Sequence, residues 1–231
     1  MTIFRYALLR GVRSPLSMIV NCAMPLVLIL IRPLWVMDGG FSLGFALIAF
    51  MVMSGSYLMS QSILTDKTDG AIYRILAAPI TMRRYLTENL LSCMVPLLTQ
   101  IVLVTLLGHL LYNWSLPLSF FVFLCYTVLT LASVTMAFAW HCLFKIRENS
   151  GAGFGFVLTF MCMLSGMFFP MTFMPGPLQY VGAIFPVFWA VRGLNSVLEL
   201  GTASGEYWLA IAAMLLFAMA FLLYGGKRRI I

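Results

Sequence analysis

TDKTDGAIYRILAAPITMRRY, residues 65–85, gathers two Asp, one Lys, three Arg and a Pro between long stretches with almost no charge. The stretches set the class and the block sets the orientation. Hydrophobic residues make up 62% of the 231-residue chain and charged residues 9%. Ordinary soluble domains carry about 45–50% apolar and about 25% charged residues. A globule of this size cannot bury so much apolar surface, so it belongs in lipid. A spanning helix needs about 20 mostly apolar residues to cross about 30 Å of hydrocarbon. Six runs meet that need, near 16–36, 43–64, 89–112, 118–143, 150–169 and 207–224. They are apolar on all sides rather than alternating, so they read as helices and not as barrel strands. The expected fold is an all-α integral membrane protein with six transmembrane helices.

Charge orients the bundle. Lys and Arg collect at the cytoplasmic ends of spanning helices. With both termini inside, 12 of the 14 basic residues lie inside, and only Arg32 and Arg192 fall outside. The inverted arrangement reverses those numbers. The net charge of +7 therefore reads as topology, and no soluble module offers a basic face for nucleic acid. No cleavable leader is evident in MTIFRYALLRGVRSPLS. Cys22, Cys93, Cys125, Cys142 and Cys162 all fall in expected spans without a C-x-x-C pair, as packing residues do.

Residues 2–14 place Ile3, Phe4, Ala7, Leu8 and Val12 on one side of a helical wheel and Arg5, Arg10 and Arg13 on the other, with Tyr6 and Leu9 as exceptions. This is the pattern of an interfacial helix, although a plain basic flank would also fix topology. Pro15 then opens the first span. Trp35, Tyr112 and Trp114 sit where an aromatic belt is expected. Gly40/Gly44 and Gly151/Gly155 have the spacing of close helix packing, which chance also produces. GAGFGF at 151–156 lacks the Lys and Ser/Thr of a phosphate loop, and no such loop occurs elsewhere. The spans carry no paired Asp, no His-x-x-x-His and no relay carboxylates. Metal centres, intramembrane proteolysis and proton-driven pumping are therefore not expected, and His141 reads best as a helix–helix hydrogen bond.

Within the charged block, Asp66 or Asp69 can cap a helix. AIYRILAA, 71–78, gives two helical turns with Ile72, Ile75 and Leu76 on one face and Tyr73 at its edge. Pro79 ends it, and Arg83 and Arg84 return the chain to the headgroups. Such a helix either lies back on the bilayer or plugs into a groove on a partner.

Both this block and the stretch 164–198, LSGMFFPMTFMPGPLQYVGAIFPVFWAVRGLNSVL, resemble ABC-2-type transporter permeases. The block resembles the family pattern of acidic residues, a Gly, a short helix and a Pro through Asp66, Asp69, Gly70, Leu76 and Pro79. The resemblance implies a coupling helix formed by Asp66, Asp69, Gly70, Ile72, Tyr73, Ile75, Leu76 and Pro79, docking on a separate ATP-binding subunit. It also implies one domain over 1–231. An interfacial helix (1–15), a cytoplasmic coupling loop (65–88) and an external re-entrant hairpin between spans five and six (170–206) are its parts.

The physics of that hairpin stands beside the resemblance. Pro170, Pro175, Pro177 and Pro186 leave apolar pieces at 177–185 and 187–198, too short to span. Irregular backbone at membrane depth survives only in protein or beside a cavity. Arg192 either snorkels to the outer headgroups, meets an anionic substrate or pairs with Glu199. Asn21, Gln61, Gln100, Phe168, Phe169 and Arg192 are the expected pathway residues.

The implied function is a permease subunit of an ATP-binding cassette exporter in a bacterial plasma membrane. It would work as a homodimer or beside a similar permease, with amphipathic drugs, peptide antibiotics or lipid-like molecules as cargo and drug resistance as an outcome. The chain itself would be no enzyme and bind no cofactor; ATP and Mg would sit on the partner. A non-transporting scaffold that binds an ATPase is the alternative.

Overall fold

The computed structural model describes residues 2–35, 43–71, 81–144, 147–167 and 175–227. Every regular element among them is helical. In chain order they are α1 (Thr2–Arg13), α2 (Pro15–Leu30), α3 (Leu43–Thr68), α4 (Met82–Tyr112), α5 (Leu116–Leu143), α6 (Arg147–Leu164), α7 (Gly176–Gly182), α8 (Pro186–Leu200) and α9 (Gly205–Lys227). Four of these are long and apolar enough to cross a membrane, or up to six spans if each of two bent pairs counts as one. The bent pairs are α1 with α2, at 80°, and α7 with α8, at 109°.

Two expected spans are shorter than the sequence suggested. The first, expected to reach residue 36, ends as an α-helix at Leu30 and continues as a 3-10 turn over Arg32–Trp35. Pro33 explains the stop, since it brings no N–H and crowds the carbonyl four residues back. The fifth, expected over 150–169, starts at Arg147 and ends at Leu164. Gly166, at φ 75°, takes the chain out of the helix in a conformation that other residues rarely adopt.

α2 is also irregular inside. Residues Ile19–Ala23 form a π turn just ahead of Pro25. Proline cannot serve the carbonyl of Asn21, and a widened turn is a common accommodation in apolar surroundings.

Large apolar side chains face outward as well as inward, and the apolar interior also takes in polar side chains. Ser56, Ser60, Gln100, Thr130, Ser133 and His141 are buried, while Leu106, Leu110, Phe156, Leu216 and Leu223 are exposed. Most buried hydroxyls return to the carbonyl one turn back, as Ser56 does to Val52 at 2.7 Å and Ser133 to Leu129 at 2.7 Å. Between helices lipid offers no hydrophobic drive, so packing and a few hydrogen bonds specify the partners. Tyr126 Oη donates to the Phe45 carbonyl (2.7 Å), Tyr112 Oη to that of Ile29 (2.6 Å) and Tyr207 Oη to that of Phe121 (2.8 Å). These bonds tie α5 to α3, α4 to α2 and α9 to α5.

α5 lies at the centre, packed on α3, α4, α8 and α9. Trp35, Tyr112 and Trp114 lie together. They stack on one another and on Phe45, with Trp35 5.2 Å from Phe45 and 5.5 Å from Trp114 between ring centres. Gly44 has no Cβ because the Trp35 ring fills that space. Gly40 lies outside the described residues. Gly151 approaches the Tyr57 hydroxyl, and nothing lies near Gly155.

Gly55 of α3 lies against Asn21 of α2. A Cβ there would collide with Asn21 Oδ1 and press on Leu97. Gly55→Val is expected to cost roughly 1–3 kcal/mol through overpacking. Gly155→Val, in open space, should leave stability nearly unchanged. Thermal unfolding of both variants in detergent checks the contrast.

Candidate functional site

α3 carries the chain to the end of the bundle that holds most of the basic residues. The helix stops where Asp69 and Gly70 turn back on it, with Asp69 N–H donating to the Thr65 carbonyl (2.9 Å) and Gly70 at φ 69°. α4 begins after Thr81, whose hydroxyl accepts from Arg84 N–H at 3.4 Å. Ile72, Tyr73, Ile75, Leu76 and Pro79 lie outside the described residues. What the structure describes are the two roots of that segment, the end of α3 and the start of α4.

Those roots are joined through Asp66. One of the two acids offered as a cap for the helix expected over 71–78, it sits in the last turn of α3, buried. Arg10 Nη1 of α1 donates to Asp66 Oδ1 at 2.7 Å, and Tyr85 Oη of α4 donates to Asp66 Oδ2 at 2.6 Å. Arg10 Nη2 also donates to the Ser62 carbonyl at 2.8 Å. One carboxylate thus holds three helices. Its hydrogen bond to Arg10 raises the already high pKa of that guanidinium.

A second tie runs beside the first. Glu88, one turn into α4, accepts from Phe4 N–H of α1 at 3.0 Å and from Arg84 Nε at 2.8 Å. The Glu88 carboxylate occupies the start of α1, where unpaired backbone N–H groups favour an anion.

Further from the block, α3 binds α5 and α6. Lys67 Nζ reaches the carbonyls of Cys142 (3.5 Å) and Phe144 (3.4 Å) as α5 ends. Ser60 and His141 Nε2 are 2.9 Å apart, and Tyr57 Oη donates to Ser150 Oγ at 3.2 Å. His141 is therefore a helix–helix contact.

The expected pathway residues that the structure describes lie on α2, α3, α4 and α8. Asn21 is buried in the π turn of α2, where Nδ2 donates to the Ser17 carbonyl at 2.8 Å and Oδ1 has no partner. Gln100 is buried on α4, and among the described residues neither of its amide atoms has a partner. Gln61 is half-buried on α3. Phe168 and Phe169 lie outside the described residues. Arg192, at the opposite end on α8, pairs with Glu206 of α9 at 3.2 Å and not with Glu199. The turn between α8 and α9 brings position 206 back against α8, which the linear spacing did not reveal. Among the described residues no group of three or more His, Cys, Asp or Glu is placed to hold a metal.

Residues 39–226 match the model of the ABC-2 family transporter proteins. The chain belongs to the ABC-2 transporter family. It is also similar to the linearmycin resistance permease protein LnrN of Bacillus subtilis (strain 168), with 25% identity over 191 residues. That match covers 82% of this chain and 47% of the relative, so the chain spans about half the length of the curated relative it matches. Members of the ABC-2 family are transmembrane subunits of transporters, and the helical, multi-pass character found here agrees with that membership.

Reading the ABC-2 sequence alone singled out Asp66 but missed its partners. Arg10 passed as one of several charges fixing topology, and Tyr85 only as the last residue of the charged block. A signal was present. An Asp at the end of an apolar helix needs a counter-charge, and the three arginines of the amphipathic α1 were candidates to supply it.

The Asp66 junction makes a quantitative prediction. A double-mutant cycle on Arg10→Ala and Asp66→Ala is expected to give a coupling of about 1–2 kcal/mol, the strength of a charge-assisted bond reduced because half of Arg10 meets solvent. Tyr85→Phe should cost about 1 kcal/mol alone. Additive single mutants in detergent unfolding would show that the junction carries no coupling.

Proposed function

We propose that this chain is the permease subunit of an ATP-binding cassette exporter, energised by separate ATP-binding subunits that carry the nucleotide and its Mg. The observation that carries the reading is the charged segment 65–85, whose two roots meet at a single buried carboxylate. Together with family membership, it supports a docking role for the segment between them. Six spans with both termini cytoplasmic put that segment on the side where ATP is available. The charge distribution supports this topology, with 12 of 14 basic residues at one end.

In this reading Ile72, Tyr73, Ile75 and Leu76 seat in a groove of the ATPase, framed by Asp66, Asp69, Gly70 and Pro79. Closure of two ATPase subunits on nucleotide moves the segment. Because Asp66 binds Arg10 and Tyr85, α1, the end of α3 and the start of α4 move together. The pathway forms between two such permeases, identical or similar, and opens outward beneath α7 and α8. The 109° bend between those helices suits a re-entrant hairpin. ATP drives the cycle only through unequal affinity for the two states. Buried Asn21 and Gln100 would meet polar groups of the cargo when the bundle opens, with Gln61, Phe168, Phe169 and Arg192 further along the route. Similarity to a resistance permease supports export of an amphipathic antibiotic or a lipid-like compound across the bacterial plasma membrane.

The test is co-purification from cells that express the chain with its ATPase. The wild-type chain is expected to recover a subunit with a phosphate loop and to show cargo-stimulated ATP turnover in vesicles. Ile72→Asp with Leu76→Asp should abolish recovery without changing the melting temperature. Undiminished recovery by that variant would place docking elsewhere.

A further inference from the structure

α1 does more than tie the roots of the charged segment. Beneath it lies a cleft of about 930 Å³ whose walls include Tyr6, Leu9, Arg10, Arg13, Ser14 and Tyr85. This volume is that of a small-molecule site. Its chemistry is divided. One part is apolar and open, with Tyr6 72%, Leu9 40% and the neighbouring Leu16 58% exposed. The other part is polar and basic.

The acids near the cleft are already engaged. Asp66 is neutralised by Arg10 and hydrogen-bonded by Tyr85, and Glu88 is held by Arg84 and Phe4 N–H. Arg13 faces the cleft with no acidic partner among the described residues, and the Ser14 side chain makes no capping bond to α2. A guanidinium, a hydroxyl and the solvent-facing side of Arg10 therefore converge on one space. An apolar lip borders it on a helix with the pattern of one lying in the headgroup plane.

We propose that this cleft binds the phosphate of an anionic phospholipid, with Arg13 as the principal anchor and Ser14 as a second donor. Arginine suits a phosphate because its fork offers two parallel bonds. The acyl chains leave past Leu9 and Leu16 into the bilayer. The inference rests on the reading of α1 as an interfacial helix, and it requires neither transport nor an ATPase.

Native mass spectrometry of the full chain in neutral detergent tests it, with phosphatidylglycerol and phosphatidylcholine as probes and inorganic phosphate as competitor. Phosphatidylglycerol should be retained over phosphatidylcholine, and Arg13→Gln should lower its retention about tenfold, as loss of a charge-assisted pair predicts. Arg13→Lys should restore part of it. Arg5→Gln, on the same helix but away from the cleft, should change little. Equal losses in the Arg5 and Arg13 variants would overturn the site in favour of diffuse charge. So would equal retention of the two lipids, and displacement by millimolar inorganic phosphate would assign the cleft to free phosphate instead. Alkylation of Tyr6→Cys provides a readout that leaves Arg13 intact. It should be slowed by phosphatidylglycerol and not by phosphatidylcholine, and no slowing would refute the site. Failure of all these arms leaves the permease reading untouched, because that reading is judged by ATPase recovery.

Discussion

A carboxylate buried at the end of an apolar helix is the constraint around which this end of the bundle is organised. Left alone, Asp66 would cost several kcal/mol in a poorly hydrated setting. The chain meets the cost with one full charge and one hydroxyl, each from a different helix. Arg10 must approach from α1, so α1 has to fold across the bundle, and the 80° bend before α2 permits it. Tyr85 must approach from α4, which fixes where the chain returns after the charged segment. The acid therefore determines the relative placement of three helices that the hydrophobic pattern alone leaves free.

The two ends of the bundle solve different problems. At the basic end, ions and hydrogen bonds connect elements that a partner subunit could move. At the other end, stacked aromatic rings close over α2, α3 and α4, and the exposed Arg192–Glu206 pair joins α8 to α9. A pair so open to solvent contributes little to stability. Near that same end, tyrosine-to-carbonyl bonds give α5 fixed partners. The buried amides of Asn21 and Gln100 are the exception, with polar atoms that find no partner in this arrangement. Groups of this kind are expensive where water is excluded, and they mark places where a second arrangement or a bound molecule would relieve the cost.

Much of the architecture was legible in the sequence because its signals are local. The apolar runs at 43–64, 89–112, 118–143 and 207–224 each correspond to a long helix, and α1 begins and ends where its amphipathic pattern did. Pro186 and Gly201 bracket α8 as turn chemistry predicts. The misjudged features were of two kinds. Pro33 and Gly166 shortened two helices whose composition stayed apolar beyond them, because a hydropathy window does not register a lost N–H or a positive φ. The remaining misses were long-range. Arg10 to Asp66 and Arg192 to Glu206 join residues 56 and 14 apart, and no periodicity encodes such pairs. For the same reason Asp66 was legible as important while its role as a junction was not.

Hydrogen–deuterium exchange on the wild-type chain and on Asp66→Asn most directly tests whether this carboxylate joins three helices into one unit. In the variant, amides of α1, the last turn of α3 and the first turn of α4 are expected to exchange faster together, while those around Trp35 and Tyr112 keep their protection. If α1 alone loosens, or none of the three responds, the helices are held independently and Asp66 is not the junction.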